Sequence, residues 1–272
     1  MWQYPNHCVH NFILFSSNEE LCSTILAYLC LFIVRFVRLL HEKRISTFLV
    51  TNAQFPDAIR DMDPCTQLYV SIDASTKDTL KKIDRPLHKD FWERFILSLQ
   101  ELSRKGQRTV YRLTLVKGWN AEEMDNYAKL VGIGKPDFIE IKGVTYCGTS
   151  KASKLTMDNV PWHEEVVHFV EQLAERIQDY EISCEHEHSN CVLLTQKKFY
   201  IKGQLNTWID YRKFHELVKR YNDSNGEETF TSVEYVVPTP SWALFGSKEQ
   251  GFDPAETRFH RNKNVKDDGG CG

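Results

Sequence analysis

The pattern of apolar and polar positions becomes regular from residue 35 onward and alternates between a strand period and a helix period. Strands are predicted over 45–51, 67–72, 109–117 and 137–144. Helices are predicted over 75–83, 91–102, 121–131, 161–177 and 211–221. Two more strands, 181–195 and 198–208, are interpreted as a hairpin through the lysines at 197–198. Strand–helix alternation is typical of a parallel sheet or barrel, so the predicted fold class is α/β.

The two ends of the chain differ from this regular part. Residues 21–34 carry no charge, but fourteen residues are short for a membrane span and more typical of a buried helix. We interpret residues 1–34 as a segment foreign to the fold, with membrane insertion as the alternative. Residues 230–272 are aromatic and irregular, which predicts a tail wrapped over the main unit, 35–229.

Polar side chains share one face of each middle strand. Alternation places Ser71 with Asp73, Arg112 with Thr114, and Glu140 with Lys142, while Asn52 closes the earliest strand. A packed barrel interior is mostly branched aliphatic, so inward polar residues near strand carboxyl ends indicate a ligand cavity. The alternative is a structural salt-bridge network of Arg112, Glu140 and Lys142.

The segment 184–191 is the densest cluster of potential metal ligands. On a flat strand Cys184, His186 and His188 project to one side, roughly 7 Å from one to the next. Two ligands of one zinc ion lie closer together than that, so we predict no metal site here. Imidazoles that line a substrate cavity, as acid–base or phosphate-contacting groups, are the favoured interpretation.

Composition excludes some classes of protein. The net charge of -3 excludes a strongly basic nucleic-acid binder, although Arg258, Arg261, Lys263 and Lys266 form a local basic run. Eight cysteines in 272 residues are too sparse for a disulfide scaffold, which indicates intracellular thiols and a cytoplasmic protein. No CxxC and no CxxxCxxC spacing occurs among them.

Nine ordered motifs carry a resemblance to a known family. They read FLVTNAQFP, QLYVSIDASTKDTLKKIDRPL, FWERF, YRLTLVKGWN, DFIEIKGVTYCG, VPWHEEV, YEISCEHEHSNC, TWIDY and WALFGS…GFDP. In this order they resemble the eukaryotic radical-SAM tRNA 4-demethylwyosine synthases, over about residues 38–265.

The resemblance implies an incomplete radical-SAM (β/α) barrel that lacks its first strands. It also implies S-adenosylmethionine (SAM) and a [4Fe–4S] cluster as cofactors, and condensation of pyruvate with N1-methylguanosine-37 of tRNA(Phe). The cofactor-binding residues it implies are Asn52, Ser71, Asp73, Arg112 and Asn120. The implied catalytic residues are Lys142, His186 and His188. Glu140, Arg258, Arg261 and Lys263 are expected to bind substrate.

The chain departs from the family in two respects. The flavodoxin-like FMN domain and the cluster-binding CxxxCxxC of full-length members are missing from the 272 residues, as expected for a truncated isoform. Three functions compete: a fragment of the lyase, a non-catalytic remnant that binds tRNA or a partner, and a membrane-tethered variant.

The 272-residue chain alone is expected to release no 5′-deoxyadenosine from SAM. Reductive cleavage needs a cluster held by cysteine thiolates, and the closest pair, Cys184 and Cys191, lies seven residues apart with no third cysteine nearby. The measurement is anaerobic incubation of iron-reconstituted protein with dithionite and SAM. 5′-Deoxyadenosine above a no-enzyme control would contradict the expectation.

Overall fold

A seven-stranded sheet forms the centre of the molecule. The computed structural model describes residues 35–148 and 154–256, together with the backbone of residues 10–13. The strands are β1 (His10–Ile13), β2 (Thr47–Thr51), β3 (Gln67–Ser71), β4 (Arg108–Leu115), β5 (Phe138–Gly143), β6 (Tyr180–His186) and β7 (Cys191–Gln196). Their order is β1-β2-β3-β4-β5-β7-β6. The first five are parallel, and β7 runs antiparallel between β5 and β6. The edge strands β1 and β6 do not pair, so the sheet is an incomplete barrel, as predicted.

Six helices of the described part of the chain cover the outer face of this sheet: α1 (35–42), α2 (Pro56–Asp61), α3 (Lys77–Asp84), α4 (Phe91–Leu102), α5 (Met124–Gly134) and α6 (His163–Arg176). A further helix, α7 (Tyr211–Asp223), packs in a separate cluster. Val70, Tyr111 and Ile139 point outward from the central strands into one buried cluster with Leu99 of α4 and Val170 of α6. Burial of such side chains stabilises the fold by about 1.5–3 kcal/mol each.

The inner face of the sheet is apolar at the amino ends of its strands. Tyr69, Val110 and Phe138 pack there against Phe199 and Leu205 from the chain that follows β7. That chain forms two small antiparallel pairs, β8 (Tyr200–Ile201) with β9 (Gln204–Leu205), and β10 (Trp208–Ile209) with β11 (Val236–Val237). The interior is therefore closed at one end.

Tyr235 joins this closing segment to the sheet. The buried Tyr235 hydroxyl accepts the backbone N–H of Arg108 at 2.7 Å and donates to the carbonyl of Thr66 at 3.1 Å. The Tyr235 ring also packs at a tilt against the ring of Phe214 of α7, with centroids 5.2 Å apart. The helix α7 therefore lies at the amino ends of β3 and β4, opposite their carboxyl ends.

The described part of the predicted tail covers the edge strand β6. The N–H of Phe245 donates to the Ser183 carbonyl at 3.1 Å, and the N–H of Gly246 donates to Glu185 Oε1 at 2.8 Å. Gly251 has a φ of +86°, and a Cβ there would lie 2.0 Å from the Glu185 carbonyl oxygen. The close approach therefore requires glycine, and it shields an edge that would otherwise invite pairing with another chain.

Local details differ from the sequence prediction. The hairpin turns at residues 187–190, closed by Asn190 with a φ of +50°, so the predicted turn at 197–198 was wrong. The apolar run CVLLT reads as the end of one long strand, which conceals the turn before it. The helix α2 was not predicted, and Thr76, not Ser75, caps α3.

The segment 1–34 contributes at least one strand, because β1 pairs with β2. The division into 1–34, 35–229 and 230–272 remains a prediction. No helix in the described part of the chain is long and apolar enough to cross a membrane, and residues 21–34 lie outside that part.

A pair of glycines in α5 tests the packing of this helix on the sheet. A Cβ on Gly134 would meet the hydroxyl of the fully buried Tyr111 at 1.7 Å, whereas a Cβ on Gly132 meets nothing within 4 Å. Gly134→Ala is expected to destabilise the protein by about 1–3 kcal/mol. Gly132→Ala, the matched control, is expected to stabilise it by about 0.5–1 kcal/mol. Urea unfolding measures both, and equal effects would contradict the packing.

Candidate active site at the carboxyl ends of the strands

The register of the strands brings the predicted polar residues into two rows on the inner face. In the first row, Ser71 of β3 lies opposite Arg112 of β4, which lies opposite Glu140 of β5. In the second row the cross-strand neighbours are Thr114, Lys142, Cys191 and His186. Adjacent strands are roughly 4.8 Å apart, so neighbouring members of a row are within reach of one small ligand.

Hydrogen bonds hold the first row in place. Arg112 Nη2 donates to Ser71 Oγ at 3.0 Å, and the Tyr69 hydroxyl donates to Glu140 Oε2 at 3.0 Å. Burial and the Glu140 carboxylate raise the pKa of Tyr69, so this hydroxyl stays protonated and remains a donor. The buried Nε of Arg112 has no hydrogen-bond partner. A buried donor without a partner is costly and indicates a ligand-binding position.

Asp73 extends the first row beyond the end of β3. Its carboxylate makes no hydrogen bond to any other described residue, and burial raises its pKa although the nearby Arg112 guanidinium opposes that shift. Within the described residues, no ion pair joins Arg112, Glu140 or Lys142 to one another, which disfavours the alternative of a structural salt-bridge network. The arrangement leaves an anion and a cation side by side, both able to bind a zwitterionic ligand.

Asn120 and Asn52 lie at the border of this region. The buried Asn120 amide donates to the carbonyls of Asp73 and Thr114 at 2.8 Å, and its oxygen accepts the N–H of Val116 at 2.8 Å. It therefore ties together the carboxyl ends of β3 and β4. Asn52 is exposed in the loop after β2. Direct contact of either side chain with a cofactor remains a prediction.

Lys142 lies in the second row, half-buried and without an ion pair among the described side chains. The next residue, Gly143, packs so closely that a Cβ there would lie 2.3 Å from Asn190 Nδ2 and 3.0 Å from Pro161 Cγ. The end of β5 is thereby fixed against the β6–β7 turn, which holds the base of the Lys142 side chain in position.

The two histidines do not share a strand face, so that expectation was wrong. β6 ends at His186, and residues Glu187–Ser189 form a 3₁₀ turn that carries the exposed His188 away from the strand. His186 Nδ1 accepts the N–H of Ser189 at 3.1 Å. Phe252 of the tail packs on both rings, with centroids 5.0 and 5.7 Å away. The catalytic assignment of His186 and His188 remains a prediction.

Among the described residues no group of three or more His, Cys, Asp and Glu side chains could hold a metal ion. Burial raises the pKa of the Cys65 and Cys184 thiols to about 12, which disfavours the thiolate form that ligates metals. Arg258, Arg261 and Lys263, the predicted RNA contacts, lie outside the described residues.

Sequence reasoning missed two buried contributors. Tyr69 orients Glu140 through a hydrogen bond. Its position two residues before Ser71, on the same strand face, is the sequence signal that could have identified it. Glu185 accepts the N–H of Gly246 and lies 3.4 Å from His163 Nε2, which links α6, the β6–β7 turn and the tail. No spacing of residues in the sequence predicts this contact between α6, the β6–β7 turn and the tail.

Comparison with known proteins agrees with this geometry. Residues 9–131 match the family model described as the Radical SAM superfamily, and residues 133–196 match the model described as Wyosine base formation. The first match begins within the segment 1–34. The fold and the polar strand ends thus define a radical-SAM barrel.

Individual relatives show which proteins of this superfamily the chain is similar to. The chain is 64% identical to the SAM-dependent tRNA 4-demethylwyosine synthase of Xenopus laevis, over 87% of this chain and 32% of that protein. It is 62% identical to the human protein, over 87% of this chain and 32% of the relative. A solved structure described as TYW1 with a lysine–pyruvate adduct bound has a TM-score of 0.56 and 27% identity, covering 61% of this chain and 52% of that one.

The chain carries the Radical SAM and Wyosine base formation domains and is similar to the tRNA 4-demethylwyosine synthases over most of its own length. It spans about a third of the length of the curated relatives that it matches.

Replacement of Asp73 tests the electrostatics of the first row. Because the folded protein raises the pKa of Asp73, the ionised carboxylate costs stability once the pH exceeds that pKa, and this cost is absent below the unfolded value of about 4. Asp73→Asn is therefore expected to stabilise the protein at neutral pH, with a gain that shrinks to zero as the pH falls through the folded pKa.

The matched control is Asp61→Asn, since the pKa of the exposed Asp61 is lowered by its hydrogen bond to Arg60. That variant is expected to change the free energy of unfolding with the opposite sign. Urea unfolding of both variants across pH gives the measurement, and a loss of stability in Asp73→Asn at neutral pH would contradict the assignment.

Proposed function

We propose that this chain provides the SAM-binding and substrate-binding face of a tRNA 4-demethylwyosine synthase. The observation that carries the proposal is the pair formed by Asp73 and Arg112, two half-buried charged groups whose hydrogen-bonding capacity is not fully met by the rest of the described chain. The strong identity to tRNA 4-demethylwyosine synthases supports the assignment.

SAM fits these side chains by its charges. Its carboxylate would bind the Arg112 guanidinium, including the unpartnered Nε, because charge-assisted hydrogen bonds to a guanidinium are strong. Asp73 and Ser71 would accept hydrogen bonds from its ammonium or ribose hydroxyl groups, with Asn52 at the rim. Asn120 would act by holding the strand ends that present these groups. SAM, when bound and reduced by one electron from a separate donor, would supply the radical that this family uses.

The described cysteines do not fit a [4Fe–4S] cluster. Cys65, Cys184 and Cys191 are buried and Cys147 is exposed, and no three of them gather with other ligands. We therefore derive no step through a cluster from these residues.

The second row suits the substrates of the reaction. The Lys142 ammonium would hold an anionic small substrate, which we propose to be pyruvate, against the row that contains Thr114 and Cys191. Glu140, held by Tyr69, would accept a hydrogen bond from the guanine of the second substrate. His186 and His188 at the rim are proposed as acid–base groups. We propose tRNA(Phe) as the RNA and the cytoplasm as the location.

A second candidate is a protein that binds RNA and SAM without catalysis. Burial of Cys65 and Cys184, which raises the pKa of both thiols to about 12, favours it, since protonated thiols are poor cluster ligands. Detection of bound iron and sulfide after anaerobic reconstitution would favour the enzyme, and RNA binding without iron would favour the binding protein.

Replacement of Arg112 tests the SAM-binding proposal. Arg112→Met removes the guanidinium but keeps much of the side-chain volume, and is expected to raise the Kd for SAM about tenfold or more, the loss expected for hydrogen bonds to a charged group. The control is Arg176→Met, which removes an exposed guanidinium paired with Asp125 on the outer surface. An NMR titration with SAM measures both affinities. Equal affinity of Arg112→Met and wild type would overturn the assignment of the first row.

A further inference from the structure

A basic pocket lies on one side of the site opening. The link between α3 and α4 follows the carboxyl end of β3, and His88 within it packs on Phe55, which follows β2, with ring centroids 5.8 Å apart. This link and α3 line an open pocket of about 480 Å³ with the side chains of Lys81, Arg85, His88 and Lys89. The pocket therefore borders the carboxyl ends of β2 and β3.

The two lysines of this pocket have no ion-pair partner within the described part of the chain. Asp90 pairs with Arg94, and Glu93 pairs with Lys77. Asp84 lies among the basic residues on α3, but neither Lys81 nor Lys89 forms an ion pair with any described residue. A positive pocket of this kind binds phosphate groups.

Exposed tryptophans lie on the other side of the opening. Trp119 follows β4 and is 40% exposed, and Trp162 follows β5 and is 75% exposed. Most tryptophans are largely buried, so an indole this open to solvent at a site border indicates a contact surface.

Hydrogen bonds, an ion pair and close packing fix the loop that carries Trp162 to its neighbours on both sides. Asn159 Nδ2 donates to the Lys117 carbonyl at 3.0 Å, and Lys117 Nζ pairs with Glu165 at 2.5 Å. The neighbouring Pro161 packs on Gly143, directly after Lys142, and its carbonyl accepts Asn190 Nδ2 at 2.7 Å. Trp162 is thereby held beside the second row and not on a free loop.

We infer that this rim docks a single-stranded RNA loop across the site opening, with phosphates in the basic pocket and an unpaired base stacked on Trp162. Basic grooves combined with exposed aromatic side chains bind single-stranded nucleic acid through the backbone charge and the base faces. Three of the seven residues that line the pocket, Lys81, Arg85 and Lys89, are cationic and none is acidic, so a phosphodiester backbone complements the pocket better than an apolar protein surface does. The inference rests on the proposed function, because an RNA substrate must reach Lys142 and Glu140 between these two sides.

Two sets of variants of the full chain test the phosphate contact in the pocket and the base stacking on Trp162 separately. Lys81→Glu with Lys89→Glu reverses the charge of the pocket, and Arg212→Glu with Lys219→Glu is the matched control on α7, at the opposite end of the sheet. Trp162→Ala removes the stacking surface and Trp162→Phe restores an aromatic ring. Ile201→Ala, an exposed apolar residue in the chain that closes the opposite end, is the control for these.

Fluorescence anisotropy with a labelled RNA hairpin that has an unpaired loop, and with a duplex of the same stem, measures binding against salt. The pocket variant is expected to weaken binding of both RNAs, and to reduce the slope of log affinity against log salt by about 2, one unit per lost phosphate contact. Trp162→Ala is expected to weaken hairpin binding about fivefold or more with little effect on the duplex, and Trp162→Phe to recover most of the loss.

The outcomes distinguish this inference from the proposed function. If the wild-type chain binds the hairpin and the rim variants bind as well as their controls, the rim inference is overturned and the proposed function stands. If the wild-type chain binds neither RNA, both are overturned.

Discussion

The in-register pairing of β3, β4 and β5 is the constraint on which the candidate site depends. Side chains alternate between the two faces of a strand, so a slip of one residue would move Arg112 to the helix-covered face and Tyr111 to the interior. An unpaired guanidinium among the apolar side chains of the outer core costs several kcal/mol. The apolar outer face therefore selects the one register in which Ser71, Arg112 and Glu140 meet.

The same strands divide the interior into an apolar floor and a polar mouth. Tyr69, Val110 and Phe138 occupy the row below the polar residues and are sealed by the chain after β7. This seal leaves the carboxyl ends of the strands as the open side in the described part of the chain. Tyr69 joins the two regions, because its ring belongs to the floor and its hydroxyl holds Glu140 of the mouth. Floor packing and site geometry are thus coupled.

Periodicity was sufficient to predict the sheet and the face on which each polar residue lies, because the strand period of two is a local property. It identified Arg112 with Thr114, and Glu140 with Lys142, as inward-facing pairs, and the structure confirms these faces. It did not reveal which residues are cross-strand neighbours, since register is set by contacts between segments distant in sequence.

Other features depend on tertiary contacts that leave no periodic signal. The turn at residues 187–190 interrupts what reads as one long strand, and only the left-handed Asn190 marks its end. Asn120 forms hydrogen bonds to three backbone groups from two strand ends, which no periodic pattern predicts. The covering of β6 by the tail is likewise a contact between segments distant in sequence, so it leaves no local signal.

Hydrogen–deuterium exchange with and without SAM tests the central claim most directly, that the polar carboxyl ends of β3 and β4 form the cofactor site. The account predicts that SAM slows exchange of the amides that follow these strands, in residues 72–76 and 116–120, and leaves those of α7 unchanged. Protection confined to α7 or to the outer helices, or no protection at SAM concentrations that saturate binding, would contradict it.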